Sequence, residues 1–142
     1  MPFEPSHKWP IVLDIIGKIW ASPVTLSAAL VGLILVGLSR LIYGKGKITI
    51  SNNAINFITF FKLGGAITFG NTVIYAMEGK GPEHNTVRYE GSKENIGMHE
   101  EAHTYQYQLL GILFFIPYLL SGGMWKPSPM EHAADNYSKS NR

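Results

Sequence analysis

From Ala21 to Ser39 the chain carries no charged residue, and the run Ser22-Pro-Val-Thr-Leu-Ser-Ala-Ala-Leu-Val-Gly-Leu-Ile-Leu-Val-Gly-Leu-Ser39 is followed beyond Arg40 by Leu41, Ile42 and Tyr43. At a rise of about 1.5 Å per residue, a helix over 22–43 can cross a hydrocarbon core of about 30 Å. A cleaved signal peptide fits less well, because the run starts late, is long and has no small-residue cleavage site after it. A buried core helix of a soluble protein is the other alternative, and the length argues against it. The expectation is a transmembrane helix over residues 22–43, with the lipid bilayer as the first partner of the chain. Gly32 and Gly37 are ordinary in such helices and permit close approach of another helix.

Residues 1–21 read differently. Trp9-Pro-Ile-Val-Leu-Asp-Ile-Ile-Gly-Lys-Ile-Trp20 mixes apolar residues with Asp14 and Lys18 on one side. An amphipathic helix lying in the membrane interface fits this pattern, with Trp9 and Trp20 at headgroup level and Pro10 in the first turn. A helix packed on protein partners fits nearly as well. Lys8 and Lys18 precede the span and Arg40, Lys45, Lys47 and Lys62 follow it, so the positive-inside tendency places the segment after residue 40 in the cytoplasm by a thin margin.

The chain has 142 residues, which suits one compact domain plus an anchor. Its net charge is +2 with scattered Lys and Arg, so nucleic acid is not an expected partner. Cysteine is absent, which excludes disulfides and leaves any metal to His and carboxylate ligands.

After Gly44 and Gly46 the pattern becomes strand-like. Lys47–Ser51, the turn Asn52-Asn53, and Ala54–Phe61 predict a hairpin, although 55–61 would also suit a short helix. Gly64-Gly65 predicts a break, after which Ala66–Phe69, the turn Gly70-Asn71 and Thr72–Tyr75 form a second hairpin-like unit. Glu78 to Glu94 is polar and Gly-rich and reads as a loop able to border a cleft, with His84 as an exposed loop residue rather than a ligand.

One helical turn then names a reaction: His99-Glu100-Glu101-Ala102-His103, an H-E-x-x-H pattern. At this His and Glu content roughly 0.01 accidental matches are expected, and the surroundings favour a helix that Asn95 can cap. Residues four apart share a helix face, so His99 and His103 can aim two imidazoles at one zinc ion while Glu100 serves a bound water as base. Glu101 points elsewhere and is expected in solvent. A third ligand is needed, and Glu131-His-Ala-Ala-Asp135 offers three. Glu131 and Asp135 share a face if the segment is helical; His132 is the rival ligand and Asp135 the weaker one.

His99-Glu100-x-x-His103 followed by Glu131-x-x-x-Asp135 resembles the gluzincin branch of the zincin metallopeptidases. The resemblance implies zinc held by His99, His103 and Glu131, Glu100 as general base, and Asp135 as partner of a ligand histidine. The longer run through Gln106 is similar to the H-E-x-x-H-x-x-Q of small bacterial membrane-anchored zincin-like proteins, with a strand-rich segment before the helix that Gly65–Tyr75 would supply. The likeness covers roughly the C-terminal two-thirds of the chain and implies a bacterial inner membrane. The interval from His103 to Glu131 is longer than in many gluzincins, and no clear counterpart of their transition-state-stabilising His or Tyr stands out. Tyr105, Tyr107 and Tyr137 are candidates for that role. Gln106 shares the histidine stripe, with packing on the helix face as its expected role.

No charge occurs between Glu101 and Lys126, so the motif helix runs into a second apolar stretch at 109–120. A straight spanning helix would carry Leu120 about 25 Å from His103. Glu131 would then return to the site only by drawing unpaired backbone through lipid, which is prohibitively costly. Residues 109–120 are therefore expected to form a shallow, membrane-associated helix bent at Gly111 or Pro117, with Gly122-Gly123 reversing the chain. The combined expectation is an α+β chain: residues 1–21 interfacial, 22–43 transmembrane, and 44–142 a zincin-like domain of short antiparallel strands, active-site helix and C-terminal helix. Its expected function is that of a zinc metallohydrolase cleaving peptide or protein substrates. The alternative is a non-catalytic subunit that keeps this core as a scaffold for the partners of a membrane protein complex.

Overall fold

A computed structural model describes residues 9–87, 93–120 and 129–140. The elements are α1 (Ile11–Tyr43), β1 (Lys47–Ser51), β2 (Ala54–Thr59), β3 (Lys62–Phe69), β4 (Thr72–Met77), β5 (Asn85–Val87), β6 (Lys93–Asn95), α2 (Ile96–Leu110), a 3-10 turn (Gly111–Phe114), α3 (Phe115–Leu120) and α4 (Pro129–Ser140). The fold is α+β: a long apolar N-terminal helix, a small mixed sheet and C-terminal helices. The reversal expected at Gly122-Gly123 lies outside the described residues.

Helix α1 has 33 residues and is about 50 Å long. It could span a membrane by length and composition, and only 28% of its most apolar window is buried, against the mostly buried state of a soluble core helix. Residues 11–21 belong to the same helix as the apolar run. The reason is local. Pro23 removes one amide, but the Ser22 hydroxyl donates to Ile19 O at 2.7 Å, so the carbonyl the proline orphans keeps a partner. The Trp9 ring stacks on Tyr105 at 5.7 Å, while Trp20, half exposed, lies against Gly111.

The domain lies along α1 rather than beyond its end. Ala28, Gly32 and Val36 face the sheet, where a Cβ on Gly32 would come within 2.5 Å of the Phe57 ring. Glycine at that position is what lets Phe57 reach the helix. Ser39 Oγ donates to Lys45 O and accepts from Phe60 N, which pins the helix end to the strands.

The four-stranded sheet has the order β1-β2-β4-β3, with β2 and β4 parallel and the other neighbours antiparallel. The two expected hairpins are present, and their turns use Asn52 and Asn53 at positive φ and Gly70-Asn71. The expected short antiparallel strands are present, and the side-by-side packing of the two hairpins adds one parallel pair, β2–β4. Thr72-Val-Ile-Tyr-Ala-Met77 is apolar on both faces and takes an inner position beside β2, leaving the more exposed β3 outermost. Gly64-Gly65 does not end a strand; β3 runs through both glycines with a register shift between Lys62 and Gly65. The expected loop at 78–94 contains the short pair β5-β6.

The inner strands bury both faces. Ile55, Phe57, Ile67 and Ile74 meet α1, while Ala54, Ile58, Val73, Tyr75 and Met77 pack with Ile96 at the start of α2. Asn95 caps α2 by accepting from Met98 N at 2.9 Å. At its other end α2 stops at Leu110, because Gly111 turns to φ +57 and a 3-10 turn follows. The apolar stretch 109–120 is thus broken into three pieces and does not continue the motif helix as one rod.

Candidate metal centre

Helix α2 presents His99 and His103 side by side, their rings edge to face with centroids 4.9 Å apart. Helix α4 packs against α2 and brings Glu131 to both. Glu131 Oε2 lies 3.1 Å from His99 Nε2, and Oε1 lies 3.3 Å from His103 Nε2. One donor atom from each of His99, His103 and Glu131 lies within 4.8 Å of the other two, close enough for all three to reach a single ion. All three residues are buried. His99, His103 and Glu131 can therefore hold a metal ion, and Glu94, His99 and Asp135 form a second such group around the same histidine.

The far sides of both rings are also held. His99 Nδ1 is 2.6 Å from Asp135 Oδ1, at ion-pairing distance, on the side of the ring away from Glu131. His103 Nδ1 is 2.8 Å from Gln106 Oε1, and Gln106 Nε2 donates to Met130 O on α4. Gln106 therefore does more than fill space on the helix face. It sets the His103 ring and ties it to the helix that carries Glu131.

Two contributors lie outside the motif arithmetic. Glu94, the last residue but one before α2, is wholly buried with Oε2 3.7 Å from His99 Nδ1 and Oε1 3.8 Å from Lys139 Nζ. Thr68 on β3 donates to Glu100 Oε2 at 2.5 Å. A period-of-two reading of β3 puts Ala66 and Thr68 on one face, but nothing in the sequence says that this face meets α2.

Electrostatics follow from that packing. Burial disfavours the imidazolium of His99, yet hydrogen bonding to Asp135, Glu131 and Glu94 carries it well above its ordinary value. His103 is likewise disfavoured by burial and raised by the Glu131 charge. Glu131, in spite of burial, is held well below the carboxylate range by the two histidines. Without a metal, the centre gathers protons on the rings; an ion would take their place.

Other expectations resolve differently. Glu101 is buried, not solvated; it faces Tyr105 and Tyr137, whose ionisation is disfavoured by burial and by the Glu101 charge. His132 is exposed on α4 and belongs to neither metal-capable group. His84 serves through its backbone, accepting from Ile96 N. Of the three tyrosines, Tyr107 lines the cavity at the centre, while Tyr105 packs between Trp9 and Tyr137.

That cavity measures about 390 Å³ and runs between β3 and α2. His99, Glu100, His103 and Glu131 form one wall, and residues 63–69 the other. Phe114 and Phe115, just after the Gly111 turn, close an end.

The fold and centre define a small α+β protein with a buried histidine–carboxylate cluster able to hold a metal ion, built against a long apolar helix. No family model matches the chain, and neither a curated protein nor a solved structure matches it.

Proposed function

We propose that this chain is a membrane-anchored, zinc-dependent metallohydrolase acting as a peptidase. The observation that carries the reading is the spacing of His99, His103 and Glu131 with Glu100 on the same cavity wall. The reading takes the ion to be zinc because two imidazoles and a carboxylate, with no thiolate in the chain, are a donor set that zinc accepts. When bound, it would polarise a substrate carbonyl and lower the pKa of a coordinated water to about 7.

The residues divide the remaining tasks. Thr68 holds one oxygen of Glu100 and leaves the carboxylate turned along the cavity wall, where it takes a proton from the attacking water and passes it to the leaving amine. Asp135 and Gln106 keep each ring with its Nε2 toward Glu131. Strand β3 is an outer strand, so one row of its backbone groups is unclaimed by β4 and can pair with an extended peptide in the cavity. Peptide is therefore favoured over a compact substrate. The exposed apolar side of α1 seats the domain at the bilayer.

The test uses the full chain in detergent. It should retain about one zinc per molecule, and Glu100→Gln should keep that zinc while losing hydrolysis by roughly 10²–10⁴-fold. Unchanged hydrolysis in Glu100→Gln would end the peptidase reading and leave the non-catalytic membrane subunit. Failure to hold zinc would end both.

A further inference from the structure

A second cavity, of about 430 Å³, lies on the other side of β3. Its walls are Pro23, Val24 and Val31 of α1, Phe69 and Ile74 of the sheet, and Ile112 and Phe115 of the segment after α2. Ser27 is the polar exception among the lining residues, and its hydroxyl is spent on Pro23 O at 2.8 Å. Nothing there orients a polar ligand. The size nonetheless falls within the range of about 300–1,000 Å³ usual for ligand sites.

The two cavities share Phe69 and Phe115, whose ring centroids are 6.1 Å apart. In the opposite direction, the apolar cavity meets the exposed surface at Val31 (50% exposed) and Ile112 (64%), beside Leu30 and Ile34. This is the apolar side of α1 that calls for lipid. The cavity therefore lies between the apolar side of α1 and the cavity that holds the histidines, with which it shares two lining rings.

We propose that the apolar cavity receives a fatty-acyl chain carried by the substrate, so that the chain acts on lipid-modified peptides whose scissile bond lies near the acyl group. A peptide side chain would enter from the metal side and would need no opening toward α1. A chain that begins in the bilayer and ends at a hydrolysable carbonyl needs both openings, and an aliphatic chain needs no polar partner along the way. This inference rests on the metallohydrolase reading given above.

The test measures affinity, so it does not depend on turnover. Straight-chain hydroxamates from acetyl to dodecanoyl, which bind a zinc centre through one end, are titrated against the zinc-loaded full chain in detergent. Affinity should rise about fourfold per methylene until the cavity is full. Ser27→Trp, at an exposed position of the cavity wall, should abolish that rise with zinc content unchanged, and Val31→Trp should do the same from the next turn. A rise that persists in both variants would reflect partition into the micelle and overturn the proposal. So would the absence of any rise. Peptide hydroxamates bearing Leu or Phe that gain as much as the octanoyl compound would make the cavity a side-chain pocket, which also overturns the acyl assignment. If zinc is held and hydroxamates show no chain-length preference, the metal centre stands without the acyl site. If zinc is not held, the hydrolase reading falls and carries this inference with it.

Discussion

Helices α1 and α2 invert one another. α1 is apolar and buries six of its 33 residues, whereas α2 is polar and buries 12 of its 15. Polar groups out of water need partners, and each polar residue of α2 is buried among specific ones. Asn53 donates to Thr104 and Gln108 at 2.8 and 2.7 Å, Asn71 donates to Gln108 at 2.9 Å, and Gln108 donates to Asp14 at 3.0 Å. On its opposite face stand the two histidines with Glu131, Asp135 and Gln106. α2 is thus held to one position and rotation by directional bonds. α1 has no such demand on its outer side, where Leu26, Leu30, Leu33 and Ile34 are half or more exposed. Exposed apolar area on that scale marks a surface meant for lipid or a partner.

The sharpest break of this contrast is a charge on α1. Leu33→Asp should leave the fold intact in detergent and lower membrane partition roughly 100-fold, following a cost of about 2.5–3.5 kcal/mol for a charge in the middle of a membrane helix. Liposome flotation reads this directly, and unchanged flotation would mean that the outer side of α1 does not face lipid. On α2 the corresponding break removes a directional partner. Asp135→Asn is nearly isosteric and should weaken zinc binding about 10–100-fold, measured by chelator competition, with secondary structure unaltered.

A smaller effect sharpens the comparison through pH. His99 and His103 have folded-state values raised above 6.5, so their contribution to metal-free stability is present below pH 6.5 and is lost as pH climbs through the raised values. Glu131 is lowered from 4.5, so its contribution is present above pH 4.5 and is lost on acidification through the lowered value. The metal-free chain should be most stable between these limits. Zinc requires neutral rings, so the gain in Tm on adding zinc should grow from about pH 6 to about pH 8, by a few degrees. A gain that shrinks over that range would place the metal elsewhere.

Much of α2 was legible because its signals are local. The i, i+4 spacing of His99 and His103, the Asn95 cap, and the E-x-x-x-D spacing of Glu131 and Asp135 each depend on a few neighbouring residues. Chain length likewise bars 109–120 from crossing a bilayer if Glu131 is to return to the site. The burial of Glu101 was not legible, since Tyr137 reaches it from α4 and the sequence does not say which face of α2 that helix covers. Thr68 and Glu94 escaped for the same reason.

By itself, then, the sequence determined what short-range geometry controls: an apolar run long enough to cross a bilayer, two Asn- and Gly-turned hairpins, and a helix presenting two histidines on one face. The tertiary structure decided what depends on partners distant in the chain. It set β4 between β2 and β3, laid the domain along α1, and placed Thr68 on Glu100 and Asp135 behind His99. It also put an apolar cavity beside the histidine–carboxylate cluster. Periodicity records which side of an element is apolar, while the neighbour that covers that side is chosen only when the whole chain packs at once.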